Sequence, residues 1–340
     1  MTQRLALLQL AQAHGLDGPA RTRLMALAGL AGEPPDASRQ LWRALALLAA
    51  ALVGLGLVLW VAANWDDLGR AGRFWLLQGV VVAMGLGACL RPALRAPLGL
   101  LTLLAVGALF AYFGQTYQTG ADAWQLFALW AALTLPLALG ARHDAVWAPW
   151  ALVAAVGISL WVQTHTGHQW RVLPDDLRVH AMGWAGLGLL CLLLSPAWTS
   201  WTGAGPWARR TALTLTTVAL TLTAIGGLFH KDIAPHYPLG LVLLALASAW
   251  LSRPAHFEVF GLSAAAMGLD ALVVGGLARW LFQHGGRDPI GGLMLIGLVS
   301  AGLLALSVRW ILRLVREDEE RQRANDTATA WVDTVREDTP

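Results

Sequence analysis

Apolar residues along this chain gather into about ten blocks of membrane-spanning length, separated by short polar breaks. The stretch from Leu41 to Ala63 is typical, with a single charge, Arg43, at its edge. A hydrocarbon core of ~30 Å is crossed by ~20 apolar residues of helix rising ~1.5 Å each. The pattern predicts spans over 41–63, 71–90, 96–113, 122–140, 145–162, 180–198, 209–229, 235–252, 256–281 and 289–312. The expected fold class is all-α: a polytopic transmembrane bundle of about ten helices, because helices satisfy their own backbone in lipid.

The flanks differ from this pattern. In residues 1–40, Leu5, Leu7, Leu8 and Leu10 outline a first amphipathic helix that stops at His14-Gly15. Asp17-Gly18-Pro19 opens a second, with Leu24, Leu27 and Leu30 on one face, and Glu33-Pro34-Pro35-Asp36 breaks it. This predicts a small cytosolic helical hairpin over 1–40, ahead of a transmembrane domain over 41–312. Beyond Arg313 the run Arg316-Glu317-Asp318-Glu319-Glu320-Arg321 can prolong the last helix into water, and residues 313–340 are expected to form a polar, disordered cytosolic tail.

Composition sharpens the picture only in part. A chain that is 56% hydrophobic and 13% charged could not clothe a soluble surface, where roughly 25% of residues are charged. The net charge of +3 comes almost wholly from arginines at membrane edges, so it orients helices and gives no reason to invoke nucleic acid. Cys89 and Cys191 both fall in apolar blocks, which argues against a disulfide framework or thiolate metal site. An even number of crossings with cytoplasmic termini puts 17 Arg and Lys inside against 7 outside, in line with the positive-inside rule. Many of the 18 tryptophans lie at predicted helix ends, the position of an interfacial aromatic belt.

Two outward-facing breaks carry polar chemistry. In Ala62-Ala63-Asn64-Trp65-Asp66-Asp67, Asn64 can close the first span, Trp65 can anchor at the interface, and the acidic pair can start the next turn. In Gly114-Gln115-Thr116-Tyr117-Gln118-Thr119-Gly120-Ala121-Asp122, the side chains can satisfy the turn themselves with Asp122 as N-cap, or line an outward pocket for a polar ligand or peptide. Asn64, Trp65, Asp66, Gln115, Tyr117, Gln118 and Asp122 are thus the candidate ligand or partner surface. Both segments resemble the bacterial membrane family known as domain of unknown function 2157, as does the continuation Trp124-Gln125-Leu126-Phe127 leading to Trp130. The likeness is best over about residues 1–140. It implies a bacterial inner-membrane protein whose relatives are encoded beside other membrane proteins, and it brings no established activity.

Within the spans, Asp270 is an acidic residue near the middle of a helix. An ionised carboxylate there costs ~2.5–3.5 kcal/mol on the lenient insertion scale, so it must be neutral, paired or facing water. Gln78 and the threonines at 211, 214, 217 and 221 could line a solute path, or could bond back to their own helices. Six histidines fall on the expected outer side, among them His165, His168, His180 and His236; His165, His168 and His180 with Asp175 and Asp176 make a loose metal-like spacing, but no metal or other cofactor is expected. Walker, Rossmann, H-E-x-x-H and G-x-S-x-G motifs are all missing, which argues against an enzyme. The sequence therefore points to a non-enzymatic scaffold, sensor or partner subunit of a membrane assembly, in contact with lipid and other membrane proteins. The alternative is a secondary transporter or permease using Asp270, although the two halves show no five-plus-five repeat.

Overall fold

A computed structural model describes residues 2–28, 37–63, 69–117, 120–167, 171–284 and 289–337. The expected all-α fold is observed, with no strand among the described residues. Among the described residues, nine helices are long and apolar enough to cross a membrane, and a further apolar helix, His236–Leu251, is shorter. The chain divides into two compact units, Met1–Ala105 and Val106–Pro340.

The first unit starts with helix α1 (Thr2–Ala13), which ends at Gly15 in a left-handed conformation (φ +60°). Helix α2 (Gly18–Leu27) follows, capped by Asp17, whose Oδ1 accepts from the Ala20 N–H at 3.0 Å, with Pro19 in the first turn. Ala11 and Met25 are buried in this hairpin. Helices α3 (Ala37–Ala63) and α4 (Gly69–Leu90) then meet the first half of α5 (Arg95–Tyr117). A Cβ at Gly54 would touch Leu104 and Leu101, and one at Gly87 would sit 2.9 Å from Leu98. Away from that seam α3 is open: 11% of its spanning stretch is buried, and Leu41, Leu48 and Val53 are exposed.

The second unit is an up-and-down bundle. It comprises the end of α5 with α6 (Ala123–Ala141), α7 (Asp144–Thr166), α8 (Leu177–Leu193), a single turn α9 (Thr199–Thr202), α10 (Pro206–Gly226), α11 (His236–Leu251), α12 (Val259–His284) and α13 (Pro289–Glu337). Helix α7 is the hub: it packs on α6, α8 and α10, and 39% of its spanning stretch is buried. Trp147, Val146 and Ala151 lie fully inside. A second core forms where Trp184, Leu220, Ala224, Leu244 and Leu272 meet.

Two boundaries depart from the sequence reading, while the span expected over 235–252 is observed as α11. The span expected over 180–198 ends at Leu193, because Pro196 starts a separate short turn. The last span, expected to end at 312 with the run from Arg316 prolonging it into water, is continuous helix through Glu337, with Arg321–Glu317 and Arg323–Glu319 pairs one turn apart. Helix α11 has 16 residues, about 24 Å at the usual rise and so short for a span. It nevertheless carries the chain the full depth of the bundle. The starts of α10 and α12 lie together, joined by the Arg209–Glu258 ion pair at 2.9 Å, so α11 must run back from the far end to that one.

Candidate functional site

At the end of the second unit where α7, α10 and α12 begin, the loops are tied to the helices by direct bonds. The Asp144 carboxylate, in the first turn of α7, accepts three backbone N–H groups at the start of α10: Gly205 at 3.1 Å, Trp207 at 2.6 Å and Ala208 at 2.8 Å. These are donors that a helix start cannot satisfy by itself, and a carboxylate also complements the helix dipole. The indole N–H of Trp147 donates to the Thr202 carbonyl at 2.8 Å, and Arg142 donates to the Ser200 carbonyl. Gly203 (φ +66°) lies against Arg142 so closely that a Cβ there would meet the Arg142 Cβ at 2.5 Å. Glu258 takes Arg209 at 2.9 Å and Arg210 at 3.7 Å, and the Arg210 guanidinium lies over the Trp207 and Phe260 rings.

The opposite end is built around a histidine pair. His180, in the first turn of α8, and His236, which opens α11, lie edge to face with ring centres 4.9 Å apart. The His236 Nε2 is 3.2 Å from the His180 Nδ1, which also lies 3.1 Å from the Asp176 carbonyl. A carbonyl only accepts, so using both contacts puts a hydrogen on His180 Nδ1 and makes His236 Nε2 the acceptor. Neutral His236 then carries its hydrogen on Nδ1, which is buried without a hydrogen-bond partner. The reverse tautomer forfeits the Asp176 contact, so either arrangement leaves a polar atom unmatched. The buried Asp176 Oδ2 also lacks a hydrogen-bond partner. Beside the pair, the Tyr237 hydroxyl donates to the Leu272 carbonyl at 2.9 Å. His230 bonds to the Val172 carbonyl, and Val172 in turn rests on Gly226, where a Cβ would be 2.5 Å from its Cγ2. That clamp holds the segment carrying Arg171.

Two cavities open beside these residues. One, of about 250 Å³, lies between α7, α8 and α10, with Gln163, Thr166, Arg171, His180 and Thr223 among its polar lining. The other, of about 460 Å³, lies between α6, α7 and α8 and is almost wholly apolar, with Trp124, Leu135, Trp150, Trp161 and Met182 in its walls. Ile158 and Gly183 belong to both. Gly183 is required there, since a Cβ would sit 2.4 Å from Val162 Cγ2.

The residues singled out from the sequence fall in several places. Asn64, Trp65, Asp66 and Gln118 lie outside the described residues, as does His168. Gln115 and Tyr117 are exposed on the last turn of α5, and the Tyr117 ring is 5.0 Å from Phe113. Asp122 occupies the N-cap position of α6 with extended backbone, but its side chain makes no bond to the helix. Asp270 is paired: its Oδ1 accepts from the Ser307 hydroxyl of α13 at 3.1 Å, while its buried Oδ2 has no hydrogen-bond partner. Gln78 is exposed on α4 in the first unit. Of the threonine stripe, Thr211 bonds back to Trp207, and Thr217 and Thr221 abut Gly268 of α12. Thr216, off that stripe, ties α10 to α8 through the Leu187 carbonyl and the Cys191 sulfur.

The metal-like spacing does not converge. His165 bonds to the Trp161 carbonyl and stacks 4.5 Å from that indole, whereas His180 pairs with His236 instead. No group of three or more metal-ligating side chains occurs among the described residues. Sequence reasoning missed Asp144, although His143-Asp144 ahead of an apolar block is a helix-start signature. It had no signal for the histidine pair, whose members are 56 positions apart.

These features define a multi-pass α-helical membrane protein. Over residues 8–147 the chain matches the family described as a predicted membrane protein, DUF2157, which bears out the resemblance read from Ala62–Asp66 and Gly114–Asp122. No curated protein and no solved structure matches the chain. The histidine pair and the 250 Å³ cavity lie beyond the matched residues.

Proposed function

We propose that this chain is a non-enzymatic scaffold, sensor or partner subunit of a membrane assembly in the bacterial inner membrane, with both termini cytoplasmic. The observation that carries the reading is on α13. Apart from Ile311, which packs with Leu262 and Ala266, no residue of its spanning stretch is buried, and Leu293, Met294, Leu298 and Leu306 are exposed. Three small-residue pairs at four-residue spacing, Gly261 with Ala265, Ala264 with Gly268 and Gly297 with Ala301, divide sharply in use. A Cβ at Gly261 or Gly268 would strike neighbouring helices at 3.0 Å or less, so those faces are consumed by internal packing. Gly297, with Ala301 one turn on, has nothing within 4 Å and is exposed. An open small-residue face on a spanning helix suits close approach by the helix of another membrane protein. The charged extension of α13 beyond Arg313 offers that partner a second, aqueous contact.

The test is affinity purification in mild detergent of the native chain beside Gly297→Ile. Because no atom occupies the space, the variant retains its fold. A membrane protein recovered in stoichiometric amounts with the native chain, and reduced about tenfold with the variant, is the expected result, matching a loss of ~1.4 kcal/mol. A lone monodisperse protein that moves solute in proteoliposomes would instead favour the transporter reading. The observation on that side is Asp270, midway along α12 and bonded to Ser307 through only one of its oxygens.

A further inference from the structure

We propose that the 250 Å³ cavity between α7, α8 and α10 binds the phosphate-bearing headgroup of an anionic lipid, with Arg171 as its counter-charge. The assignment is independent of the partner reading, which rests on α13.

Its first support is a polarity gradient repeated on three helices. On α7 the lining passes from Ile158 and Ser159, whose hydroxyl bonds back to the Ala155 carbonyl, to Gln163 and Thr166 at the helix end. On α10 it passes from Ala219 and Leu222 to Thr223. On α8 it passes from Leu187 back to His180 in the first turn. The polar members therefore cluster at one depth, where helix ends meet the headgroup layer, and the apolar members lie deeper. A free solute has no use for that order, whereas a lipid carries the same order in its own structure.

The second support is charge. The lining contains Arg171 and no acidic residue. Asp176 is the nearest acid to the histidines, but it is not in the cavity wall. Arg171 follows directly into Val172, which is clamped between His230 and Gly226, so the start of its side chain is held at the cavity mouth. A guanidinium presents several N–H donors to a phosphate, and such charge-assisted bonds are the strong ones. The Nδ1–H of His180 is used by Asp176 and His236, so the charge-assisted donors for a phosphate in this cavity come from Arg171.

The third support is what lies alongside. The 460 Å³ groove shares Ile158 and Gly183 with the headgroup cavity and is nearly free of polar surface. It gives an acyl chain a trough of tryptophan and small residues that adjoins the polar site across the α7–α8 contact.

The experiment uses the full chain in detergent, with binding followed by native mass spectrometry. The probes are short-chain phosphatidylglycerol, the phosphatidylcholine of equal chain length, and inorganic phosphate. The proposal expects phosphatidylglycerol to bind about tenfold more tightly than phosphatidylcholine, and Arg171→Gln to erase that preference. Arg171 is exposed, so the variant keeps the native melting temperature. Ser159→Leu, which fills the apolar floor, should weaken both lipids together. Equal binding of the two lipids, or an Arg171→Gln variant that retains the preference, would overturn the assignment. Inorganic phosphate binding as tightly as phosphatidylglycerol would overturn the lipid as its source.

Discussion

The two ends of the α6–α13 bundle meet the same difficulty, polar groups where helices stop, and resolve it differently. Where α7 and α10 begin, one carboxylate takes three backbone donors, an indole takes a loop carbonyl, and two arginines share a glutamate as ion pairs, although Arg209 Nε, Arg210 Nε and both Glu258 oxygens make no hydrogen bond there. Where α7 and α10 finish, a histidine pair cannot satisfy both rings, Asp176 Oδ2 has no hydrogen-bond partner, and a polar cavity stands open. Buried polar atoms are ordinarily matched, since each unmatched one costs about 1–3 kcal/mol. Both ends therefore carry some of that cost. At the first it is offset by direct ties between helices and loops; at the second the unmatched atoms stand beside an open polar cavity, where violations of local consistency are expected at a site that meets something else.

Substitutions test this contrast in order of expected size. Asp144→Ala removes the acceptor for three N–H groups and the charge at the start of α10, and should cost about 3 kcal/mol, seen as the largest fall in melting temperature in detergent. Gly203→Ala forces a side chain into a left-handed backbone and against Arg142, for about 2 kcal/mol by the same measurement. At the other end, His236→Leu should change stability by less than about 1 kcal/mol in either direction, because it trades one hydrogen bond for relief of an unmatched ring nitrogen. If His236→Leu proved as damaging as Asp144→Ala, the two ends would be equally structural and the contrast would fail.

Much of the fold was legible because lipid imposes its demand locally. Each apolar block between Leu41 and Leu312 could be recognised without knowing its neighbours, and Asp17 with Pro19 announced α2 in the same local way. Helix α11 was legible in the same way, as the apolar block over 235–252. Its 16 residues are short for a span, and the shared position of Arg209 and Glu258 shows that it still runs the depth of the bundle. The candidate site was less legible. Gln115, Tyr117 and Asp122 were visible because polar residues stand out beside apolar ones. The histidine pair draws its members from α8 and α11, and spacing along the chain carries no trace of that meeting.

The sequence by itself determined that this chain is helical and spans a membrane many times, because hydrogen-bonding backbone and hydrophobic length are properties of each segment alone. Only the tertiary structure decided which polar side chains have partners. Gly261, Gly268 and Gly297 look alike in sequence, yet the first two are filled and the last is open; Asp144 and Asp176 both stand near helix starts, yet one oxygen of Asp176 is stranded. Such differences depend on what neighbouring helices bring within about 3 Å, and hydrogen bonds and close packing are interactions of that short range.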